Sequence, residues 1–195
     1  MGGLLSLDAR AEPHRHEGAP TLMVGLPASG VVSLMEAIKL RQSMQQVGLR
    51  RLNPGMTSAV GAGLNMHVVQ LPEGEQHAAG TTPLMRHVLG YRRLIIAVDS
   101  TAAAANPFLL LPTVQRIDSL LDVLEDVAAW KVLVAATTAD ALPTSSPELQ
   151  GRLEAAFAAI GRRVGSLRCC SIATSVNVMD RIAEDLAWLA SEVTR

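Results

Sequence analysis

Short apolar runs alternate along this chain with longer segments in which apolar residues recur every three or four positions. Most of the runs carry no charge, which is typical of strands buried on both faces of a parallel sheet. Because strands and helices alternate, the pattern predicts an α/β fold with a mainly parallel sheet of about six strands and helices on both faces. The five clearest strands are predicted at 21–25, 64–71, 94–98, 132–136 and 166–171.

Four segments have the periodicity of amphipathic helices, each with one apolar face. One of them begins at Ser146-Pro147, since serine is a good N-cap and proline fits the first turn. The stretch from 50 to 63 is rich in Gly, Pro and Ser and is predicted to be a loop. The predicted helices are 31–46, a segment with the stripe Ile117, Leu120, Leu121, Leu124 and Val127, then 146–162 and 178–193.

Composition and charge remove several classes of function. At 195 residues, 49% of them hydrophobic, the chain is long enough for one domain with a substantial core. The net charge of −1 and the 3% aromatic content argue against a nucleic-acid surface, which needs cations for phosphates and rings for bases. Cys169 and Cys170 are the only cysteines, and neighbouring cysteines seldom bridge each other, so a reducing cytosol is expected.

Residues 1–20 are predicted to form an arm and linker ahead of a domain that covers 21–195. The start, Met1-Gly-Gly-Leu-Leu-Ser6, fits the myristoylation pattern of glycine after methionine and serine or threonine four residues later. A chance match in a linker is the alternative. No apolar stretch approaches the roughly 20 residues that are needed to span a bilayer. Myristate at Gly2 would bring the chain to a membrane surface, assisted by Leu4, Leu5 and Leu7.

The turn after the first predicted strand has the form of a phosphate-binding loop. It reads Gly25-Leu-Pro-Ala-Ser-Gly-Val-Val-Ser33, with a helix predicted directly after Gly30. Such a loop surrounds phosphates with backbone N–H groups and the N-terminus of the helix. Ligands of parallel α/β folds bind at the carboxyl ends of the strands. The loops that are expected to matter are therefore 25–33, 72–76, 99 onward, 137–140 and 171–175.

Five motifs, in order, resemble the Arf and Arf-like family of small GTPases along nearly the whole chain. The loop 25–33 looks like the family's Gly-Leu-Asp-x-Ala/Ser-Gly-Lys-Thr-Thr, and Ala97-Val-Asp-Ser100 looks like its Val-Val-Asp-Ser. Pro83-Leu-Met-Arg-His87 is similar to Pro-x-Trp-Arg-His/Asn. The segments 137–140 and 170–175 resemble Asn-Lys-x-Asp and Cys-Ser-Ala-x-Thr-Gly. The resemblance implies a divergent member with a P-loop small-GTPase-like fold and degenerate nucleotide-binding motifs, and it supports the lipid site.

The phosphate loop lacks the side chains that the resemblance requires. Val31 stands where a lysine reaches the β- and γ-phosphates, and Val32 stands where a hydroxyl binds Mg²⁺. Misalignment does not explain the loss, because Lys39 and Lys131 are the only lysines and neither is predicted in such a loop. Residues 9–98 contain no aspartate for the second Mg²⁺-side group. The alternative interpretation is a tight strand–helix turn whose valines pack inward.

The resemblance leaves more of the guanine site in place. Asp140 stands where a carboxylate accepts bonds from guanine, although Thr137 and Thr138 replace the family's Asn and Lys. Its alternative role is to cap the following turn, which is common for aspartate. The nucleotide-binding residues implied by the resemblance, in degenerate form, are Gly25, Ala28, Ser29, Gly30, Val31, Val32, Ser33, Gly74, Thr137, Thr138, Asp140, Ser171, Ile172 and Ala173.

These losses predict a pseudo-GTPase that acts as a protein-interaction module in membrane, vesicle or ciliary-type trafficking. No catalytic residue and no metal ligand is assigned, because phosphoryl transfer depends on metal and charge stabilisation. GTP or GDP is the ligand to test, and Mg²⁺ is not expected. Effectors are expected at 50–63 and 72–93, and the protein is expected in the cytoplasm, in part at membranes. A GTP/GDP-binding switch with low turnover and a small α/β enzyme acting on a phosphorylated metabolite remain as alternatives.

Overall fold

A computed structural model describes residues 18–26, 29–42, 50–53, 56–61, 63–70, 91–122, 124, 126–138, 147–173 and 179–191. The strands are β1 (Ala19–Gly25), β2 (Arg50–Asn53), β3 (Met56–Gly61), β4 (Leu64–Gln70), β5 (Arg93–Asp99), β6 (Lys131–Thr138) and β7 (Ser166–Ala173). The helices are α1 (Val31–Gln42), α2 (Ser100–Ala105), α3 (Leu111–Asp122), α4 (Pro147–Ala156), α5 (Ala158–Arg163) and α6 (Met179–Ala190). Two short 3₁₀ helices lie at Pro107–Leu110 and Val127–Ala129.

In the described ranges the strands form one sheet in the order β2-β3-β4-β1-β5-β6-β7. The five strands β4, β1, β5, β6 and β7 are parallel. The strands β2 and β3 form an antiparallel hairpin that joins the sheet at β4. Parallel neighbours need a long crossover connection, usually a helix, while antiparallel neighbours need only a short turn. The predicted α/β fold with a mainly parallel sheet is confirmed, and the hairpin brings the strand number to seven.

Each central strand is buried on both faces, which explains the continuous apolar runs. In β1, Leu22 and Val24 point to one apolar cluster and Met23 points to the other. Residues of α2 to α5 complete the first cluster, and residues of α1 and α6 complete the second. Burial of side chains from both layers against one sheet is the main stabilising term for such a domain.

The loop predicted for 50–63 is wrong, because most of this stretch forms β2 and β3. Met56–Gly61 runs antiparallel to β4, with Met56 opposite Val69 and Gly61 opposite Leu64. A hairpin near the edge of a sheet is held by backbone pairing and does not need an uninterrupted apolar run. The Gly, Pro and Ser content therefore marks a hairpin here and not an irregular loop.

Two predicted helices have different bounds in the structure. The helix predicted for 146–162 is broken at Phe157, whose fully buried side chain separates α4 from α5. The helix with the stripe at 117–127 ends at Asp122, so Leu124 and Val127 lie beyond it and pack on the first cluster from outside α3. The N-terminal boundary also differs slightly, since β1 begins at Ala19 and not at 21.

At the amino ends of the parallel strands, two cationic side chains bind the C-terminus of α6. The Arg93 Nε donates to the carbonyl of Leu189 at 2.6 Å, and the Lys131 Nζ donates to the carbonyl of Trp188 at 3.1 Å. Burial and the neighbouring charges of Arg93 and Arg168 lower the pKa of Lys131. Lys131 is the first residue of β6, so it lies at the amino ends of the strands and stabilises a helix C-terminus. None of the helices within the described ranges is both long and apolar enough to cross a bilayer.

Candidate functional site

The carboxyl ends of four parallel strands bring the predicted loops together. Gly25 ends β1, Asp99 ends β5, Thr138 ends β6 and Ala173 ends β7. The register places Asp99 beside Thr137, and Thr138 beside Ala173. This edge of the sheet is where parallel α/β folds bind their ligands. The backbone of the predicted 171–173 segment therefore lies on the strand next to Thr137.

The structure describes both ends of the turn between β1 and α1, at 25–26 and at 29–30. The Ser29 N–H donates to the carbonyl of Leu26 at 3.0 Å, and the Leu34 N–H donates to the carbonyl of Gly30 at 2.8 Å. Gly30 has a φ of +72°, in the left-handed region that glycine adopts without strain. The turn thus ends at Gly30 and α1 begins directly after it, so the N-terminus of α1 lies at the carboxyl ends of the strands.

Gly25 is required because other parts of the loop pack directly against its Cα. A Cβ atom at this position would lie 2.1 Å from the Ser29 Oγ and 2.9 Å from the Val31 Cβ. Both contacts are far shorter than van der Waals distance, so any side chain at 25 would force the loop to move. The two glycines of the motif are therefore explained by steric requirements of the loop in its present, closed conformation.

Thr137 ties the loop to the sheet from the strand beside it. Its hydroxyl donates to the carbonyl of Ser29 at 2.7 Å and lies 3.2 Å from the carbonyl oxygen of Val98. A Cβ on Gly30 would lie 2.5 Å from the same hydroxyl oxygen. The sequence placed Thr137 at the base-recognition motif, but its side chain is buried and binds the phosphate loop instead. Sequence reasoning missed this contact because no local pattern records it.

Replacing Thr137 by valine is expected to lower the free energy of unfolding by about 1–2 kcal/mol, because the buried Ser29 carbonyl loses its donor. Thr137→Ser keeps the hydroxyl and removes only a methyl group, so it is expected to cost about half as much. Urea denaturation of the two variants and the parent measures the difference. Equal stability of the serine and valine variants would show that the hydroxyl contributes nothing.

The valines at the lysine and hydroxyl positions have opposite environments. Val31 is 2% exposed and packs in the second apolar cluster with Leu34 and Met35 of the same helix. Val32 is 51% exposed, and Ser33 is exposed as well. An apolar side chain at 31 and another at 32 give no cation for the phosphates and no oxygen for Mg²⁺. The side chains at these positions therefore do not fit a Mg²⁺-bound triphosphate.

Two buried serine hydroxyls follow β1 and β5 in the sequence. Ser29 and Ser100 are both nearly inaccessible to solvent, and their Oγ atoms have no hydrogen-bond partner in the described part of the structure. Asp99, beside Ser100, accepts a bond from the Thr101 N–H at 2.8 Å and so caps the first turn of α2. The resemblance placed this aspartate in a family motif, and its observed contact is structural.

Several predicted site residues lie outside the described residues: Gly2, Leu4, Leu5, Leu7, Ala28, Gly74 and Asp140. The predicted effector segment 72–93 is described only from 91. In 50–63 the structure describes the backbone of 50–53, 56–61 and 63, and the side chains of 50–61 lie outside the description. Thr138, Ser171, Ile172 and Ala173 are placed by their backbones in β6 and β7. For the described residues, no group of three or more His, Cys, Asp or Glu side chains is arranged to hold a metal ion.

His67 has a polar contact that the sequence did not predict. Its Nδ1 lies within hydrogen-bond distance of the Tyr91 hydroxyl, and the two rings meet edge to face with centroids 5.5 Å apart. Burial raises the pKa of Tyr91 well above its ordinary value, so its hydroxyl is neutral at any physiological pH. His67 lies on β4 and Tyr91 precedes β5, so the contact bridges across β1 on the first face of the sheet.

Cys169 and Cys170 are expected to react slowly with thiol reagents in the folded protein, because only the thiolate is nucleophilic. Burial, followed by the charge of Glu154, raises the pKa of Cys169 to about 12, and burial with Asp185 raises the pKa of Cys170 well above its usual value. Reaction with Ellman's reagent near pH 8 should be at least about a hundredfold slower than in urea. Fast reaction of one thiol equivalent in the native protein would contradict this.

The same pKa shifts predict a loss of stability at high pH. Both thiols are neutral in the fold, and in the unfolded chain they ionise above the ordinary cysteine pKa of 9.0. The free energy of unfolding should therefore be unaffected by these groups below that pH and should fall as the pH rises towards 12.

Solved structures of small GTP-binding proteins share this fold. An ADP-ribosylation factor-like GTP-binding protein, the small COPII coat GTPase SAR1 of Encephalitozoon cuniculi in complex with GDP, matches with a TM-score of 0.61 and 12% identity over 89% of this chain and 79% of its own. A GTP-binding protein of the hyperthermophilic archaeon Sulfolobus solfataricus, in complex with GDP, gives a TM-score of 0.60 and 14% identity over 90% of this chain and 53% of its own.

The sequence itself gives no such match. No protein-family model matches the chain, and no curated protein matches it. At 12% and 14% identity the two structures show the fold and no more. The chain spans about half of the archaeal protein's length, so that protein has a large part with no counterpart here. The small-GTPase fold is confirmed, while membership of the Arf family stays a prediction.

Proposed function

We propose that this chain is a protein-interaction module built on the small-GTPase fold, which acts in membrane or vesicle trafficking and binds nucleotide weakly or not at all. The observation that carries the proposal is Val31. It occupies the position of the phosphate lysine and is buried in the second apolar cluster. A valine side chain that is buried in the core offers no contact to a phosphate group.

Backbone groups alone give little affinity for a nucleoside triphosphate. The loop N–H groups and the helix dipole attract an anion, but each such contribution is small when water competes for the site. A lysine and Mg²⁺ normally neutralise most of the triphosphate charge. With valines at 31 and 32, that charge is uncompensated at the loop. We therefore expect binding to be weak and insensitive to Mg²⁺.

The loop has contacts that do not require a ligand. The Thr137 hydroxyl holds the Ser29 carbonyl, and the Cα atoms of Gly25 and Gly30 pack against neighbouring side chains. A loop stabilised from within is able to keep one conformation in the absence of nucleotide. This supports a module whose binding surface is permanent and is not switched by GTP.

A nucleotide-binding switch is the second candidate. Gly25 and Gly30 keep the turn, α1 starts directly after it, and both similar proteins were solved with GDP. A switch requires that GTP and GDP bind two conformations with different affinity. In that case partners would depend on which nucleotide is bound.

Partner capture from lysate in three conditions separates the two functions. The tagged full chain is incubated with GDP, with a non-hydrolysable GTP analogue, or with EDTA and no nucleotide. A constant set of partners is expected for the module. A partner that is captured only with the GTP analogue would overturn the proposal and support the switch. The intact mass of the protein from eukaryotic cells, with Gly2→Ala as the control, tests the myristoyl site.

A further inference from the structure

A tip of exposed apolar side chains lies between α2 and α3. Phe108 is 71% exposed, Leu109 is 55% exposed and Leu111 is 48% exposed. Val32 is the one other large apolar residue in the described ranges with comparable exposure, at 51%. Three such side chains within four residues are a concentrated apolar surface, and surfaces of this kind mark sites of interaction. Phe108, Leu109 and Leu111 together form the apolar tip.

We propose that the apolar tip inserts into the headgroup and acyl boundary of an anionic lipid bilayer. This proposal rests on the proposed function only in placing the protein at a membrane. A single myristoyl chain binds membranes weakly and reversibly, so stable attachment needs a second signal. The tip supplies one that is independent of the phosphate loop and of any lipid at Gly2.

The tip is rigidly held on the domain. Leu110, between the exposed leucines, is 2% exposed and packs in the first apolar cluster. On the side of α4, Arg152 donates to the carbonyl of Ala104, and its other nitrogen pairs with Glu148 at 2.6 Å. The tip is therefore a preorganised projection, and ordering it at a surface costs little conformational entropy.

The backbone of the tip is suited to an apolar environment, where an unsatisfied N–H group is costly. The Phe108 N–H donates to the Asn106 Oδ1 at 2.9 Å, and the Leu109 N–H donates to the Asn106 carbonyl at 2.9 Å. The Leu111 N–H donates to the carbonyl of Phe108. The prolines at 107 and 112 have no N–H group. The N–H groups of all three tip residues therefore keep an acceptor when the tip leaves water.

Few charges lie near the apolar tip, and the Arg152–Glu148 pair beside it carries no net charge. Residues 100–115 carry no ionisable side chain, and the first charge after the tip is Arg116. Arg116 is five positions after Leu111 on α3, which is roughly 7.5 Å along the helix axis. This matches the insertion depth of interfacial segments, about 5–10 Å, so with the α3 axis along the bilayer normal Arg116 would lie at the level of lipid phosphates. The next acids on α3, Asp118 and Asp122, are both paired with Arg163.

Vesicle binding of the full, unmyristoylated chain tests the proposal. Cosedimentation is measured with vesicles of phosphatidylcholine alone and with vesicles that contain phosphatidylserine. The parent is expected to bind the anionic vesicles, and the triple variant Phe108→Ser, Leu109→Ser, Leu111→Ser is expected to bind at least about tenfold more weakly. Val32→Ser is the matched control, since it removes an equally exposed apolar side chain elsewhere and should leave binding unchanged. Arg116→Gln should weaken binding to the anionic vesicles only.

A fluorescence measurement reports insertion directly and does not depend on the triple variant. Phe108→Trp should show a blue-shifted emission with anionic vesicles and quenching by brominated lipid, relative to the parent. Ala183→Trp, an exposed position on α6, should show neither change. Equal vesicle binding by the parent and the triple variant, or no shift for Phe108→Trp, overturns the proposal. If the parent binds no vesicles, and the triple variant loses a protein partner that the parent captures, the tip binds a protein groove and the proposal is overturned. These outcomes leave the nucleotide question open to its own test.

Discussion

Replacing Val31 by lysine is expected to lower the free energy of unfolding by about 2–4 kcal/mol in the absence of nucleotide. The side chain at 31 is 2% exposed and packs with Leu34 and Met35. A lysine there must either bury its ammonium group or displace core side chains to reach the loop mouth. Chemical denaturation, followed by fluorescence of the two tryptophans, measures the loss.

Val32→Lys is the matched control for this change. It introduces the same side chain at the next residue, but the position is half exposed, so the expected effect is within about 0.5 kcal/mol. If Val31→Lys were as stable as Val32→Lys, position 31 would not be part of the core and the interpretation of the loop would be wrong. The double variant Val31→Lys, Val32→Thr is expected to gain stability when Mg²⁺ and GTP are added, because Gly25, Gly30 and the start of α1 are kept and the missing side chains are restored.

Replacing Gly30 by alanine is expected to lower the free energy of unfolding by about 2–3 kcal/mol. The φ of +72° is unfavourable for any residue with a Cβ, and the new methyl group would lie 2.5 Å from the Thr137 hydroxyl oxygen. Relief of this overlap would break the bond from Thr137 to the Ser29 carbonyl. The midpoint and slope of urea denaturation measure the change.

Gly151→Ala separates this effect from the general effect of removing a glycine. Gly151 lies within α4, and a Cβ at this position has no atom within 4 Å. In a helix interior, alanine is favoured over glycine by about 0.5–1 kcal/mol, so this variant should be more stable than the parent. Destabilisation by both substitutions to a similar extent would contradict the steric account of Gly30.

The sequence predicted the parts of the fold that depend on burial. Local apolar patterns mark the strands β5 and β6, which are buried on both faces, and the helix α1, which packs Val31, Leu34, Met35 and Ile38 on the sheet. The hairpin of β2 and β3 was missed, since backbone pairing to β4 holds it and leaves no strong pattern in the sequence. The break at Phe157 was missed because the flanking alanines all favour helix.

The sequence predicted which strand ends lie side by side, but it did not predict how the loop contacts the neighbouring strand. Parallel strands necessarily bring 25–33, Thr137 and 171–173 to one edge, so the order of motifs was enough to place them. The direction of the Thr137 side chain depends on how closely the loop approaches β6, which is decided by tertiary packing. For the same reason the opposite environments of Val31 and Val32 were not predictable from the loop sequence.

Titration of the purified chain with a fluorescent GTP analogue, with and without Mg²⁺, tests the central claim most directly. The claim is that the loop keeps the fold of a nucleotide site and has lost its phosphate contacts. We expect no Mg²⁺-dependent binding at concentrations below about 100 µM, and the same melting temperature with and without nucleotide. Micromolar or tighter affinity that requires Mg²⁺ would contradict the claim and identify the chain as a nucleotide-binding switch.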